Sequence, residues 1–145
     1  MTWLPLDRNA PSERDAVLGL YPEAYARHRE FLEATTAATD AELLELCKAR
    51  MAQLLRCREE LARHSPERLA ELESWERSSS FTGTERAALL FVEQFVLDPT
   101  LVSREMVGDL EAELGTTGVI NFTTALAAHE ASLRLSTLLD LAPAG

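Results

Sequence analysis

The chain has 145 residues, a formal net charge of −10 and an isoelectric point of about 4.7, and this length fits one domain over residues 1–145. So acidic a surface repels phosphate backbones, which argues against nucleic-acid binding. No apolar run reaches the ~18 residues of a membrane-spanning helix, and the first residues lack the basic-then-apolar order of a secretory signal. We therefore expect a cytoplasmic protein that binds neither nucleic acid nor membrane.

Apolar residues recur at steps of three and four along most of the chain, which is the period of an amphipathic helix. After an irregular segment over residues 1–11, we predict helices at about 12–34, 39–64, 65–77, 82–98, 103–114 and 117–139. No stretch shows the period-two alternation of a β-strand. The sequence therefore predicts an all-α bundle of about six helices.

Capping and breaking residues mark the predicted helix ends. Residues 39–42 (Thr-Asp-Ala-Glu) and 82–85 (Thr-Gly-Thr-Glu) have the form of a capping box. Residues 65–66 (Ser-Pro) combine a capping side chain with a proline at the first helical position. Gly115 is predicted to end a helix. Pro22 lies either near the start of a helix or at a break in it.

Three groups that can exchange protons follow one another in the second long helix. Cys57, Glu60 and His64 are three and four residues apart, which places them on one helical face. A histidine there is suited to acid–base work near neutral pH. The alternatives without a catalytic role are a solvated ion pair between Glu60 and His64, and a Cys57 that packs in the core as a small apolar side chain. Cys47 would lie ~15 Å from Cys57 on a straight helix, beyond the reach of a disulfide.

The remaining polar candidates are weaker. His28 lies between two arginines and is predicted to be at the surface. His129 could line a pocket, although a half-buried polar pair with the glutamate after it is the favoured interpretation. Glu45, Glu60 and His64 could in principle bind a metal ion. Because that set contains one imidazole, neither a metal nor another cofactor is predicted.

One stretch of the chain resembles the active-site signature of the carboxymuconolactone decarboxylase / alkylhydroperoxidase D-like (AhpD-like) family. Glu45 precedes Cys57 by twelve residues, as the family's Glu precedes its first Cys, and the Ala-Gln at 52–53 and His64 also match. Residues 81–87 (Phe-Thr-Gly-Thr-Glu-Arg-Ala) resemble a later phrase of the same family. The resemblance implies an AhpD-like helical bundle that assembles as a homo-oligomer, a trimer or a hexamer.

The departure from the family pattern concerns its second cysteine, because Glu60 occupies that position. Residues 59–64 (Glu-Glu-Leu-Ala-Arg-His) instead resemble the decarboxylase branch, whose histidine is the suspected acid or base. The resemblance implies, as the favoured function, a non-redox enzyme that acts on a small organic acid or lactone through His64 with Glu60 and Glu45. One alternative is a thiol-dependent alkylhydroperoxidase that uses Cys57 with an external reductant. The other is a non-catalytic small-molecule-binding or assembly protein.

A shared site for these residues sets a geometric condition. On one straight helix Glu45 and Cys57 would be ~18 Å apart. The family carries an Asn-Gly-like turn before its first Cys, whereas residues 54–56 are Leu-Leu-Arg and contain no turn signal. Two outcomes are therefore open: tertiary packing breaks the helix, or Glu45 lies outside the site.

Overall fold

The computed structural model describes residues 2–4, 6 and 9–143, and this part of the chain contains helices and no strand. Its α-helices are α1 (Glu13–Leu18), α2 (Pro22–Ala37), α3 (Ala41–Leu55), α4 (Arg58–Leu61), α5 (Pro66–Glu73), α6 (Gly83–Leu97) and α7 (Arg104–Leu138). Short 3-10 turns at Trp75–Arg77 and Pro99–Leu101 follow α5 and α6. The all-α prediction is confirmed. The predicted irregular segment 1–11 falls partly on residues 1, 5, 7 and 8, which lie outside the described residues.

The main core lies where α3, α6 and α7 pack against one another. Each of these helices contributes large side chains that are almost fully buried, among them Leu44, Met51, Phe91, Val92, Phe122 and Leu126. Removing such a side chain from water stabilises the fold by ~1.5–3 kcal/mol. Packing of these three helices therefore fixes the positions of the backbone segments that carry the polar side chains. Within the described residues, no helix combines the length and the hydrophobicity that a bilayer crossing requires.

Several predicted caps are confirmed and two boundaries shift. Thr82 and Glu85 form both halves of a capping box at the start of α6. The cap of α3 is Asp40 and not Thr39. The side chain of Asp40 accepts a hydrogen bond from the backbone N–H of Leu43. Pro22 takes the first position of α2, so the predicted first helix is two helices. Proline favours this position because it has no N–H to leave unpaired.

The predicted break at Gly115 is a kink within α7. Gly115 has φ 73° and ψ 166°, whereas the residues on both sides continue the helix to Leu138. Glycine adopts this conformation without strain because it has no Cβ. The two helices predicted on either side of Gly115 therefore meet without an intervening loop.

The helix predicted to run to about His64 ends at Leu55, which corrects the sequence-based boundary. Arg56 adopts the left-handed conformation, with φ 56° and ψ 38°. The backbone N–H of Cys57 donates to the carbonyl oxygen of Ala52 over 2.9 Å, which closes a Schellman-type helix end. Cys57 then occupies the capping position of the short helix α4. Tertiary packing therefore supplies a break that the local sequence does not signal.

Candidate functional site

The break after α3 brings three of the predicted site residues together. One side-chain donor atom from each of Glu45, Glu60 and His64 lies within 4.8 Å of the other two. Oε1 of Glu60 is 3.0 Å from Nε2 of His64, and Glu60 is only 6% exposed. Glu45 comes from α3, Glu60 from α4, and His64 stands just before Ser65, which caps α5. Of the two outcomes left open by the sequence, the structure shows that Glu45 joins the cluster.

A buried lysine, which sequence reasoning missed, lies between the two carboxylates. Nζ of Lys48 is 2.8 Å from Oε1 of Glu45 and 3.8 Å from Oε1 of Glu60. Lysine is rarely buried unless its charge is paired, and Lys48 is 7% exposed. Burial acts to raise the pKa of Glu45, but the hydrogen bond and the charge of Lys48 outweigh it, so this pKa lies below its ordinary value. The signal in the sequence was a lysine within the apolar stripe of α3.

The same cluster has the donor types of a metal site, with two carboxylates and one imidazole. The ammonium of Lys48 already stands beside both carboxylates. A divalent cation there would be repelled by this fixed positive charge at close range. The donor set fits a metal poorly, and the absence of a metal or other cofactor stays a prediction.

Glu60 faces a small cavity of about 200 Å³, which we call the Glu60 cavity. Its lining consists of Arg14, Leu32, Lys48, Glu59, Glu60, Arg63, His129, Ser132 and Leu133. Three of these side chains are cations and two are carboxylates. In a chain with a formal net charge of −10, this local excess of positive charge is unusual. The cavity is smaller than the ~300–1,000 Å³ typical of drug-sized ligand sites, so it suits a small and anionic molecule.

His64 lines a different cavity, of about 270 Å³, which we call the His64 cavity. Its other lining residues are Glu42, Glu45, Leu46, Ala49, Arg68 and Glu85. Three carboxylates face one arginine in this second cavity, so its charge balance is opposite to that of the Glu60 cavity. The hydrogen bond between Glu60 and His64 connects the two cavities.

His129 of α7 is half-buried and lines the Glu60 cavity. Its Nε2 lies 2.9 Å from Oγ1 of Thr36, whose hydroxyl proton goes to the carbonyl oxygen of Leu32 over 2.7 Å. Nε2 must therefore donate to Thr36. Burial, and then the charge of Lys48, lower the pKa of His129 to about 4, so the ring is neutral at pH 7. The predicted pair of His129 with Glu130 is not formed, because Glu130 bonds an arginine on its own helix.

A second ion pair holds the short helix α4 against its neighbours. The guanidinium of Arg14 donates to both carboxylate oxygens of Glu59, over 2.8 and 2.7 Å. Ser136 of α7 donates to Glu59 over 2.6 Å, and Arg14 also donates to Ser132 over 3.1 Å. Burial acts to raise the pKa of Glu59, but Arg14 and Ser136 outweigh it and lower this pKa. These bonds fix the residue beside Glu60 and thereby orient α4.

The structure does not bring the thiol of Cys57 into this polar cluster. Cys57 is 0% exposed and belongs to the apolar core, and its sulfur makes no hydrogen bond to a described residue. Cys47 is equally buried, and burial raises the pKa of its thiol. Both cysteines are free thiols. Of the four predicted site residues, three therefore cluster and the fourth, Cys57, packs on the apolar side.

His28 is half-buried on α2, and not at the surface as predicted. Its ring borders an apolar groove of about 410 Å³ between α1, α2 and the end of α7. Burial, and then the charge of Arg14, lower the pKa of His28. Its Nε2 is buried and bonds none of the described residues. His28 lines neither the Glu60 cavity nor the His64 cavity.

The helical arrangement defines the chain as an AhpD-like helical bundle. It superposes with a TM-score of 0.77 on the crystal structure of a protein of unknown function from Agrobacterium tumefaciens, provisionally described as the antioxidant defence protein AhpD. The two chains are 17% identical, and the match covers 86% of this chain and 92% of the other. At this identity the likeness shows the fold alone. The sequence matches no protein-family model and no curated protein.

Proposed function

We propose that the chain is a non-redox acid–base enzyme of the carboxymuconolactone decarboxylase / AhpD-like family that acts on a small organic acid or lactone. One observation carries the proposal: the buried Glu60 carboxyl lines a cavity of mainly positive charge and is hydrogen-bonded to His64 over 3.0 Å. A histidine and a carboxyl in contact provide the proton donor and acceptor that such chemistry requires.

The arrangement supports a proton path with two steps. Loss of CO₂ from a substrate anion breaks one C–C bond and leaves its electron pair on carbon as a carbanion or enolate. His64 passes a proton to the Glu60 carboxylate, which faces the cavity, and Glu60 delivers that proton to the carbon. His64 in turn exchanges its proton with water through the His64 cavity, which it lines. In an isomerase reaction the same pair would remove and return a proton.

Lys48 and Glu45 support this pair. Lys48 is 3.8 Å from Glu60 and 2.8 Å from Glu45, so its positive charge offsets two neighbouring carboxylates that would otherwise repel each other. A fixed positive charge beside the cavity also stabilises negative charge that develops on the substrate. We assign Glu45 the role of holding Lys48 in place, since its own contact to the cluster is through the ammonium.

Burial of the thiols gives the alkylhydroperoxidase alternative little support. A reactive cysteine requires a thiolate that peroxide can reach. Cys57 is 0% exposed within the apolar core, and both it and Cys47 are free thiols. The proposal therefore assigns proton chemistry to Glu60 and His64 and a packing role to Cys57.

The proposal includes a homo-oligomer, a trimer or hexamer, in a cytoplasmic protein. Support for an assembly comes from large apolar side chains that remain exposed on the single chain. They include Leu97 (70%), Leu101 (62%), Ile120 (63%) and Leu138 (73%). Apolar side chains that are exposed on one chain become covered at a subunit interface. Size measurement in solution by light scattering tests this part separately.

The test is proton exchange at carbon, because it does not depend on knowing the physiological substrate. A set of small lactones and keto or unsaturated acids is incubated with the protein in D₂O, and deuterium incorporation and CO₂ release are followed by NMR. We expect Glu60→Gln to lower the rate with the best compound by ~10²–10⁴-fold, because the residue no longer transfers a proton.

Cys57→Ala is the matched control, since it lies three residues away and faces the core. It should retain the exchange rate within a few-fold. Peroxide consumption with a dithiol reductant is measured on both variants in parallel. Equal exchange rates for the wild-type protein and Glu60→Gln, or a peroxidase rate that disappears only in Cys57→Ala, would overturn the proposal.

A further inference from the structure

We propose that Lys48 and His129 form a recognition site for a small hydroxycarboxylate in the Glu60 cavity, in which Lys48 binds the carboxylate and His129 accepts a hydrogen bond from the hydroxyl. The inference rests on the proposed function only for the location of the cavity, and it concerns binding rather than turnover. Both residues line this cavity, from α3 and α7.

Lys48 retains hydrogen-bonding capacity beyond its contacts within the protein. An ammonium group has three protons. One is donated to Oε1 of Glu45 over 2.8 Å, whereas Oε1 of Glu60 is 3.8 Å away, beyond hydrogen-bond distance. Donors therefore remain for a ligand carboxylate. Arg63 adds a second cation at the same cavity. Its guanidinium donates to Oε2 of Glu60 over 3.3 Å, and its 60% exposed side chain has further N–H donors for a ligand.

His129 presents an acceptor on the same cavity. Nε2 carries the proton of the neutral ring, because it must donate to the hydroxyl oxygen of Thr36. Nδ1 is then an acceptor with a free lone pair. None of the described residues bonds it, and it is not among the buried atoms that lack a partner. Nδ1 is therefore open to a hydroxyl group of a ligand.

Charge and size narrow the ligand class further. The cavity lining has three cations and two carboxylates, and the charge of one of the cations, Arg14, is paired with that of Glu59. Lys48 and Arg63 both face the single carboxylate of Glu60, so the lining keeps one positive charge in excess, which points to a monocarboxylate. A volume of about 200 Å³ limits the ligand to a small molecule.

The experiment measures binding with probes that differ by one hydroxyl group. Lactate, 3-hydroxypropanoate and propanoate are titrated into isotope-labelled full-length protein, and the ring nitrogens of His129 are followed by NMR. We expect at least one hydroxy acid to bind about tenfold more tightly than propanoate, because propanoate would cover Nδ1 of His129 without offering it a hydrogen-bond donor. His129→Leu should remove this difference between the hydroxy acids and propanoate.

Lys48→Met should weaken all three probes by tenfold or more. If that variant does not fold, Arg63→Gln replaces it, with an expected loss of about threefold, since Arg63 is largely exposed. Arg27→Gln, which removes an exposed cation on α2, is the control and should change nothing. Equal affinity of all probes for the wild-type protein, or a hydroxyl preference that survives in His129→Leu, overturns the assignment.

The two experiments distinguish a failure of the recognition site from a failure of the proposed function. Hydroxyl-selective binding by a protein that catalyses no exchange supports the recognition site and contradicts the proposed function. Exchange that depends on Glu60, without selectivity for the hydroxyl group, supports the proposed function and contradicts the recognition site.

Discussion

Cys57 and Glu60 are three residues apart, yet they lie in opposite environments. Cys57 is enclosed by the apolar core of α3, α6 and α7. Glu60 is surrounded by charged and polar groups, with His64 3.0 Å and Lys48 3.8 Å from its Oε1. Both side chains are almost fully buried. Burial alone therefore does not distinguish a chemical role from a packing role.

The difference between the two positions comes from the partners that each side chain finds. A thiol is a weak hydrogen-bonding group and can be buried as a small hydrophobic side chain. A carboxyl group loses far more on leaving water, so it must be paired or hydrogen-bonded. The protein provides Glu60 with an imidazole, an ammonium and, at 3.3 Å, the guanidinium of Arg63. This concentration of charge distinguishes the surroundings of Glu60 from those of Cys57.

The largest predicted effect separates these two regions by activity. His64→Gln should lower the rate of carbon–deuterium exchange by ~10²–10⁴-fold, because glutamine can hydrogen-bond to Glu60 but cannot supply a proton. Cys57→Ala should stay within a few-fold of the wild-type rate. Rates are compared at equal concentrations of folded protein. An inactive Cys57→Ala variant with unchanged stability would place the chemistry on the thiol and contradict the comparison.

The second prediction concerns stability on the charged side. Lys48→Met removes a buried cation and leaves Glu45 and Glu60 without its positive charge. Breaking a buried ion pair costs ~3–5 kcal/mol, and we expect about 3 kcal/mol because Glu60 keeps its contacts to His64 and Arg63. Cys57→Ala should cost only about 1 kcal/mol, the contribution of one small buried group. Urea unfolding followed by circular dichroism measures both values, and equal losses would contradict the expected order.

The third prediction concerns how the stability of the protein depends on pH through His129, which lines the Glu60 cavity. The pKa of His129 is about 4 in the folded protein, against an ordinary value of 6.5. Between these values the unfolded chain binds a proton that the folded chain does not, so the free energy of unfolding should fall as the pH drops from 6.5 to 4. We expect a loss of roughly 2 kcal/mol, less than the full conversion because the ring is partly exposed.

His129→Leu provides the control for this pH effect. The variant should lose the part of the pH dependence between 6.5 and 4 while other titrating groups are retained. NMR titration of the ring gives the pKa of His129 directly. A ring that titrates near 6.5 would contradict the predicted pH dependence and would show that the ring of His129 is open to water.

The helical fold could be predicted from the sequence because its signals are local. Apolar residues at helical spacing indicated the all-α bundle, and side chains such as Thr82 and Ser65 cap the helices for which they were predicted. A capping residue acts within three positions of itself. Such features are therefore visible in any short window of the sequence.

The candidate site was only partly predictable, because it depends on contacts between distant segments. Cys57, Glu60 and His64 were placed on one face of a continuous helix, which the structure does not contain. Lys48 was overlooked because lysine is usually at the surface. The bond from Arg14 to Glu59 joins residues 45 positions apart. No local sequence pattern indicates such a pair, although this ion pair orients the helix that carries Glu60.

The smallest predicted effect is on stability and concerns Arg56, the residue at the break between α3 and α4. Arg56 is exposed and adopts a left-handed conformation that costs a residue with a Cβ ~1–2 kcal/mol. Arg56→Gly removes this strain. It also increases the conformational entropy of the unfolded chain, which reduces the gain in stability by ~0.5–1 kcal/mol. We expect a net stabilisation of about 0.5–1 kcal/mol, seen as a higher urea midpoint with an unchanged slope.

Arg56→Ala is the matched control, because it removes the same side chain and keeps the Cβ. It should show no gain in stability, and neither variant should change the exchange rate. If packing of Cys57 into the core and of Glu60 into its cluster holds the break in place, glycine only relieves a local strain. A destabilised Arg56→Gly variant would instead mean that the arginine side chain contributes to the break, and that tertiary packing of the two flanking residues is not sufficient to hold it.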